Sequence, residues 1–199
     1  MICLSVNTAN SASLSEKRAL VLFGSPHEDG HTAKLLDAFL AERPAAVRVD
    51  RVDAYREVVV PCTGCGLCER LDGCRFPDFD GIDRLLRAAD YLIVATPVYN
   101  LTFPAPLKAI FDRTQRYFSA RFSRGVRPPI ERPKKAAMLL CAGSPSAEGA
   151  DIIRRQLSMM FTVMNTFLCE ESLWLSTDAG GPTEPALQAA RASARRFFA

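Results

Sequence analysis

The stretch RALVLFGSPHEDGHTAKLLDAFLAE, residues 18–42, decides the fold of this 199-residue chain. It opens with a short apolar run that stops at Gly24, a pattern typical of a buried strand. From residue 32 onward the apolar residues recur at helical spacing, which predicts a helix over 32–42 whose apolar stripe contains Ala33, Leu36, Leu40 and Ala41. A buried strand, a polar turn and an amphipathic helix together form the first unit of an α/β domain.

The same alternation of strand and helix continues to the end of the chain. Apolar runs predict further strands over residues 46–52, 91–95, 135–141 and 166–175. Helical periodicity predicts helices over residues 79–90, 105–118, 152–165 and 184–198. Five strands that alternate with five helices imply a parallel sheet covered by helices on both faces. Ligands bind beyond the carboxyl ends of the strands in such sheets, so the loops at that edge are the places to look for a site.

Composition excludes several classes of protein. Hydrophobic residues make up 48% and charged residues 24% of the chain, as in an ordinary globular protein. The net charge of +3 is too small to indicate nucleic-acid binding, and no apolar stretch approaches the ~20 residues that cross a bilayer. The length fits one domain over residues 18–199, preceded by a polar leader over residues 1–17 that lacks the pattern of a signal peptide. Four of the seven cysteines crowd into one turn, which favours a reducing cytoplasm over a secreted disulfide scaffold.

The first loop, GSPHEDGHT at residues 24–32, has the composition of an anion site. Its glycines allow several backbone N–H groups to point inward, and the hydroxyls of Ser25 and Thr32 add donors. The helix that begins near His31 presents its positive end to the same place. No lysine precedes Thr32, so this is not a Walker loop, and the donors suit a phosphate that is held and not transferred. The alternative is an ordinary turn in which Thr32 caps the helix.

A second loop, TPVYNLTFPAPLK at residues 96–108, has the composition of a ring-binding segment. Three prolines stiffen it and leave the other amides free to face a ligand. Tyr99 and Phe103 offer flat apolar surface, so the loop suits the polar edge and flat face of a heterocycle. The alternative is a pair of core aromatics at a strand–helix junction.

Four cysteines lie within PCTGCGLCERLDGC, residues 61–74. Three of them, Cys62, Cys65 and Cys68, follow one another at steps of three, and Cys74 comes six residues later. The spacing is close to that of ferredoxin-type motifs that hold an iron–sulfur cluster. Zinc also takes four thiolates, although it usually favours two separated pairs. A cluster, zinc, a disulfide and metal-free thiols therefore all remain open at this point.

Three motifs in this order give the chain a family resemblance. They are GSPHEDGHTAKLL, then PCTGCGLC followed by Cys74, and then ATPVYNLTFPAPLKAIFDR, and with the alternating elements they cover most of residues 18–175. The chain resembles the flavodoxin-like NAD(P)H-dependent FMN reductases, and among them the iron–sulfur flavoproteins. The resemblance implies a doubly wound five-stranded parallel sheet in the order 2-1-3-4-5, with FMN at its carboxyl edge.

The resemblance also implies roles for individual residues. The FMN phosphate is expected to contact Ser25, His27, Gly30, His31 and Thr32. The isoalloxazine ring is expected to lie against Pro97, Val98, Tyr99 and Asn100. The other side of the ring is expected to be closed by Gly143 and Ser144. If the turn at residues 61–74, called the cysteine turn below, holds a [4Fe–4S] cluster, its ligands would be Cys62, Cys65, Cys68 and Cys74. The acidic side chains of Glu28 and Asp29 oppose a phosphate, so they are expected to point away from it.

The activity that the resemblance implies is an FMN-dependent NAD(P)H oxidoreductase. A nicotinamide would supply hydride, and the electrons would pass through flavin, with or without a cluster, to a quinone, another small molecule or a protein. No catalytic side chain is identified, and family members usually form homodimers or homotetramers. Two alternatives are a non-enzymatic flavodoxin-like electron carrier and a cysteine-based metal or redox sensor.

A basic stretch over residues 113–135 carries eight basic residues and one acidic residue. A solvated face or a subunit interface is the simplest interpretation of such a stretch. The alternative hypothesis is that it attracts an anionic nicotinamide or an acidic partner.

Overall fold

Five parallel strands form one sheet in a computed structural model of the chain, which describes residues 16–180 and 183–199. The strands are β1 (Lys17–Phe23), β2 (Val47–Asp53), β3 (Tyr91–Pro97), β4 (Lys134–Cys141) and β5 (Thr166–Trp174). They lie in the order β2-β1-β3-β4-β5, which confirms the predicted flavodoxin-like topology. The predicted leader, residues 1–17, lies outside the described residues except for its last two positions, and Lys17 already belongs to β1.

Helices cover both faces of the sheet. They are α1 (His31–Leu40), α2 (Asp80–Ala88), α3 (Ala105–Asp112), α4 (Gln115–Phe122), α5 (Glu148–Val163) and α6 (Thr183–Phe198). Successive side chains of a strand point to opposite faces, so Val21 packs with α1 and α6 while Leu22 packs with α2, α3 and α5. Two separate apolar cores result, one on each side of the sheet. Within the described ranges, no helix is both long and apolar enough to cross a membrane.

The predicted helix over residues 105–118 is wrong in one respect, because the chain forms two helices there. The first, α3, ends at Asp112, and α4 begins at Gln115. Between them the Thr114 hydroxyl donates a hydrogen bond of 2.7 Å to the Phe111 carbonyl. Such a local side-chain bond competes with the helical pattern and bends the chain. Arg113, at this break, thereby comes to lie against the cysteine turn.

Candidate functional site

A cavity of about 350 Å³ opens at the carboxyl ends of β1, β3 and β4. This volume falls within the range of roughly 300–1,000 Å³ that is typical of small-molecule sites. Most of the residues predicted to bind FMN line it: Ser25, His27, Gly30, His31, Thr32, Pro97, Val98, Tyr99 and Gly143. The other two predicted residues, Asn100 and Ser144, adjoin these in the chain and are not part of the lining. Three separate loops therefore meet at one site, as the topology requires.

The amino-terminal end of α1 has the features of a phosphate site. The helix has no side-chain cap at Gly30 and no acidic residue in its first turn. Its first amides therefore keep free donors and an uncompensated positive end next to the cavity. Ser25 and Thr32, both buried, place hydroxyls at the same end. The Ser25 hydroxyl also accepts a hydrogen bond of 3.2 Å from the His27 backbone N–H, which orders the loop.

The two acidic residues of this loop lie away from the cavity. Glu28 forms an ion pair with Arg56, and both Glu28 and Asp29 are exposed. Neither belongs to the cavity lining. The observed arrangement agrees with the expectation that they point outward, so the loop presents no carboxylate to an anionic ligand.

A tight turn shapes the opposite wall of the cavity. The backbone N–H of Tyr99 donates to the carbonyl of Thr102 and the reverse bond also forms, each at 2.9 Å. The two residues at the tip, Asn100 and Leu101, have φ angles of 49° and 64°. Asparagine tolerates this left-handed region, whereas leucine is strained there, and such strain tends to accumulate at functional sites. The turn leaves Tyr99 half exposed at the mouth of the cavity.

Three further residues, missed by the sequence analysis, complete the lining: Cys141, Thr177 and Asp178. The loop after β5 is tied to the loop after β4, because the Thr177 N–H donates to the Ala142 carbonyl at 3.1 Å. The Asp178 carboxylate packs on Gly143 so closely that a Cβ there would lie 2.1 Å from one of its oxygens. The general rule that ligands bind at strand carboxyl ends could have pointed to this fifth loop.

Cys141, the last residue of β4, places a thiol inside the cavity. Burial raises the pKa of the Cys141 thiol to about 12, and a hydrogen bond with Thr32 opposes the shift only in part. The group is therefore a neutral thiol at physiological pH. It acts as a polar neighbour of Thr32 and not as a nucleophile.

A second cavity, of about 100 Å³, brings the four predicted cysteines together. Its lining contains Cys62, Cys65, Cys68 and Cys74, together with side chains of the α3–α4 region. All four cysteines are free thiols, so the disulfide alternative is not realised. The Cys68 thiol lies 3.4 Å from the Ser119 hydroxyl on α4. Within residues 16–180 and 183–199, no three cysteine, histidine or acidic side chains are gathered around a point that could hold one metal ion.

The strand order defines a flavodoxin-like α/β protein, and the larger of the two cavities lies at the carboxyl edge of its sheet. The family model for NADPH-dependent FMN reductase matches residues 18–180. The chain belongs to this family, which confirms the family predicted from the three motifs.

Individual relatives agree with this assignment and with its iron–sulfur flavoprotein branch. The chain is 32% identical over 128 residues to an iron–sulfur flavoprotein of Archaeoglobus fulgidus, covering 63% of this chain and 55% of that protein. It is 41% identical over 93 residues to an iron–sulfur flavoprotein of Methanosarcina thermophila, covering 46% and 49% of the two chains. The alignments thus span about half the length of these relatives. The fold is similar to that of the NAD(P)H:quinone oxidoreductase from Methanothermobacter marburgensis, with a TM-score of 0.72, 22% identity and coverage of 93% and 98%.

Proposed function

We propose that this protein is an FMN-dependent NAD(P)H oxidoreductase that passes electrons to a quinone, another small molecule or a protein in the cytoplasm. The observation that carries the proposal is the cavity at the carboxyl edge, where an uncapped helix terminus, an amide-rich proline loop and a glycine loop converge. Bound FMN would accept hydride from the nicotinamide and release the electrons to the acceptor. Family membership and the chain's own residues support the same cofactor.

The chain's contribution to such a reaction is to bind and orient the cofactor. The first amides of α1 and the hydroxyls of Ser25 and Thr32 would hold the phosphate. Pro97 and Val98 stiffen the wall on which the ring would rest, and Tyr99 shields its edge from water. The Asp178 carboxylate lies on the opposite wall, where it can accept a hydrogen bond from a ring or ribityl donor. None of these residues needs to exchange a proton with the substrate.

We further propose that the cysteine turn holds a [4Fe–4S] cluster. In such a cluster each cysteine ligates a different iron atom, so the four thiols surround a volume and do not converge on one point. The four thiols here line one cavity, and their spacing is closer to that of an iron–sulfur motif than to the two separated pairs that zinc usually favours, which supports a cluster. Two buried guanidinium groups, those of Arg113 and Arg116, line the same cavity and suit a negatively charged metal–thiolate centre.

The protein is also proposed to form a homo-oligomer. A groove between α4 and α5, of about 490 Å³, is lined by apolar side chains that include Phe118, Phe122, Met159, Met160 and Val163. Three of them, Phe118, Phe122 and Met159, are exposed in the single chain. A patch of this kind is typical of a protein interface. Gln115 lines both this groove and the cysteine cavity, so a partner on the groove would lie beside the cysteines.

One preparation tests the proposed function. The protein is purified without oxygen, and its absorption spectrum, FMN content and iron and zinc content are measured. Stoichiometric FMN that is bleached by NADH or NADPH in single-turnover mixing is the expected result. About four iron atoms per chain are expected for the cluster. Bound FMN that no nicotinamide reduces would instead identify an electron carrier, and a protein without flavin would refute the main proposal.

A further inference from the structure

Arg113 connects the two ends of the cysteine turn. The side chain is only 2% exposed, and one terminal nitrogen of its guanidinium donates a 2.7 Å hydrogen bond to the Val60 carbonyl. The other terminal nitrogen donates a 2.6 Å bond to the Phe76 carbonyl. Val60 precedes Cys62 by two residues, and Phe76 follows Cys74 by two residues. One planar side chain therefore bridges the backbone just outside the first and last cysteines.

Asp78 completes this link. Its carboxylate forms an ion pair of 2.8 Å with Arg113 and accepts a 2.7 Å hydrogen bond from the Val60 backbone N–H. Arg113 and Cys74 line the same cavity, and a guanidinium stays protonated in proteins, so a positive charge lies beside Cys74. The chain before Cys62 is held by both members of the ion pair, which leaves it little freedom to move.

The two arginines of this region also keep unused donors. The Nε atoms of Arg113 and Arg116 are buried and have no hydrogen-bond partner within the described structure. Both side chains line the cysteine cavity, and Arg116 is only 7% exposed. Three carboxylates, those of Asp72, Asp80 and Asp83, lie 3.5 to 3.7 Å from the Arg116 guanidinium, so this group offsets their negative charge beside the thiols. The Nε atoms of Arg121 and Arg124 are likewise without a partner, but of these four arginines only Arg113 and Arg116 line the cavity of the four thiols, which become negatively charged when they bind metal.

We propose that Arg113 is the positioning residue of the cysteine site, holding Cys62 and Cys74 at the cavity, and that Arg116 adds positive charge that favours an anionic metal–thiolate centre. The role of Arg116 rests on the proposed cluster. The positioning role of Arg113 does not, because it acts on the chain before any metal is bound.

Cross-linking in the absence of iron tests the positioning role. In a full-length Cys65→Ser/Cys68→Ser background, the thiol-bridging reagent dibromobimane is applied and the Cys62–Cys74 product is measured by peptide mass spectrometry. Arg113→Met is expected to lower the bridging yield about tenfold, because the two thiols lose their fixed orientation. Arg113→Lys keeps the charge but not the planar fork, so an intermediate yield is expected. The matched control is Arg121→Met, since Arg121 of α4 donates to the Thr162 carbonyl and does not line the cysteine cavity.

FMN binding shows whether these variants remain folded, because the FMN cavity shares no residue with the cysteine cavity. If Arg113→Met binds FMN and bridges Cys62 to Cys74 as well as the control does, the positioning role is wrong. If Arg113→Met does not fold, Arg113→Lys decides: a bridging yield equal to that of the control refutes the proposal.

Reduction potentials test the charge of Arg116. After anaerobic reconstitution, Arg116→Gln is expected to retain iron but to have a more negative cluster potential than wild type, because the added electron loses a nearby positive charge. The control is Arg191→Gln on α6, which packs on the opposite face of the sheet, and its potential should equal that of wild type. Equal potentials in all three proteins would refute the role of Arg116. Wild-type protein that takes up no iron would refute the cluster and the role of Arg116, while the cross-linking result on Arg113 would stand.

Discussion

At the scale of single residues, Gly143 is a position where the structure leaves no room for a larger side chain. It lies in the loop after β4, directly against the Asp178 carboxylate of the loop after β5. A Cβ at this position would lie 2.1 Å from one carboxylate oxygen and 2.4 Å from the carboxyl carbon. Two backbone bonds join the same loops, so the Asp178 segment cannot withdraw without breaking them. One wall of the proposed FMN site depends on this contact.

We therefore expect Gly143→Ala to weaken FMN binding about tenfold, or about 1.4 kcal/mol, because the Asp178 carboxylate must rotate away from Gly143 and no longer forms this part of the cavity wall. The measurement is a fluorescence titration of the protein with FMN. Asp178→Ala removes the side chain that clashes, so the double variant should bind FMN better than the sum of the two single effects predicts. Strictly additive effects would show that the Gly143–Asp178 contact does not matter for binding.

Leu101 gives a second prediction at this scale. Its φ of 64° is left-handed, a conformation that costs a residue with a Cβ about 1–2 kcal/mol and costs glycine almost nothing. Leu101→Gly is therefore expected to be more stable than Leu101→Ala by about 1 kcal/mol, after allowance for the greater unfolded-state freedom of glycine. Urea unfolding of both variants measures the difference. An alanine variant at least as stable as the glycine variant would show that the turn carries no such strain.

Most of the proposed FMN site could be predicted from the sequence, because its residues adjoin loops that motifs mark. The loops after β1 and β3 carry their donors, glycines and prolines within a few consecutive residues. Cys141 and Asp178 lie outside those motifs: Cys141 is the last residue of a buried strand, and Asp178 reaches the cavity through contacts between the loops after β4 and β5. The burial of two charged side chains could not be predicted either. Arg113 and Arg116 belong to the basic stretch whose simplest interpretation was a solvated face or a subunit interface, yet both are buried.

At the scale of secondary-structure elements, the strands could be predicted because β1, β3 and β4 are largely apolar runs and β2 alternates apolar and polar residues, whereas the order of the strands was implied by the family resemblance. The break between α3 and α4 could not, because apolar residues at Leu107, Ile110, Phe111 and Tyr117 continue the helical spacing across it. At the break, both the hydroxyl and the backbone N–H of Thr114 bond to the Phe111 carbonyl, a tight local turn that the apolar spacing does not reveal. It matters for function, since it directs Arg113 to the cysteine turn while Phe118 faces the groove.

Lys134, the first residue of β4, supports a prediction about pH. The side chain is 2% exposed, and its ammonium group donates to the carbonyls of Arg132 and Met164 at 3.0 and 3.2 Å. Burial, with a smaller effect of nearby arginines, lowers the pKa of Lys134 to about 8 in the folded protein. The unfolded chain retains a pKa near 10.5. Between these values the unfolded state binds more protons, so this residue makes the folded state more stable as the pH rises.

We expect the free energy of unfolding to increase from about pH 8 to pH 10.5 by up to about 3 kcal/mol through Lys134 alone. Lys134→Met removes the titrating group and should flatten that part of the profile, even if it lowers stability at every pH. The measurement is urea unfolding of both proteins across this range, compared as a difference so that other titrating groups cancel. A difference that does not vary with pH would contradict the shifted pKa.

At the scale of the whole molecule, the proposed FMN cavity and the cysteine cavity are separate, whereas the apolar groove adjoins the cysteine cavity. The proposed FMN cavity is built from the carboxyl edge of the sheet, whereas the cysteine cavity is built from a loop against α3 and α4. They share no lining residue, but the cysteine cavity and the apolar groove share Gln115. Association through the groove would therefore bring a neighbouring molecule next to the cysteines, so the proposed interface and the proposed electron path would lie side by side.

Met159 provides the test of this arrangement. It is the most exposed apolar residue of the groove, at 78%, and lies on α5 opposite Phe118 and Phe122 of α4. If the groove is the interface, Met159→Glu buries an unpaired charge there, and the oligomer should dissociate to the 21.9 kDa monomer in light scattering after size exclusion. Phe167→Glu is the matched control, because Phe167 is a similarly exposed apolar residue on β5 outside the groove. An oligomer that survives Met159→Glu but dissociates with Phe167→Glu would place the interface at the edge of the sheet, far from the proposed electron path.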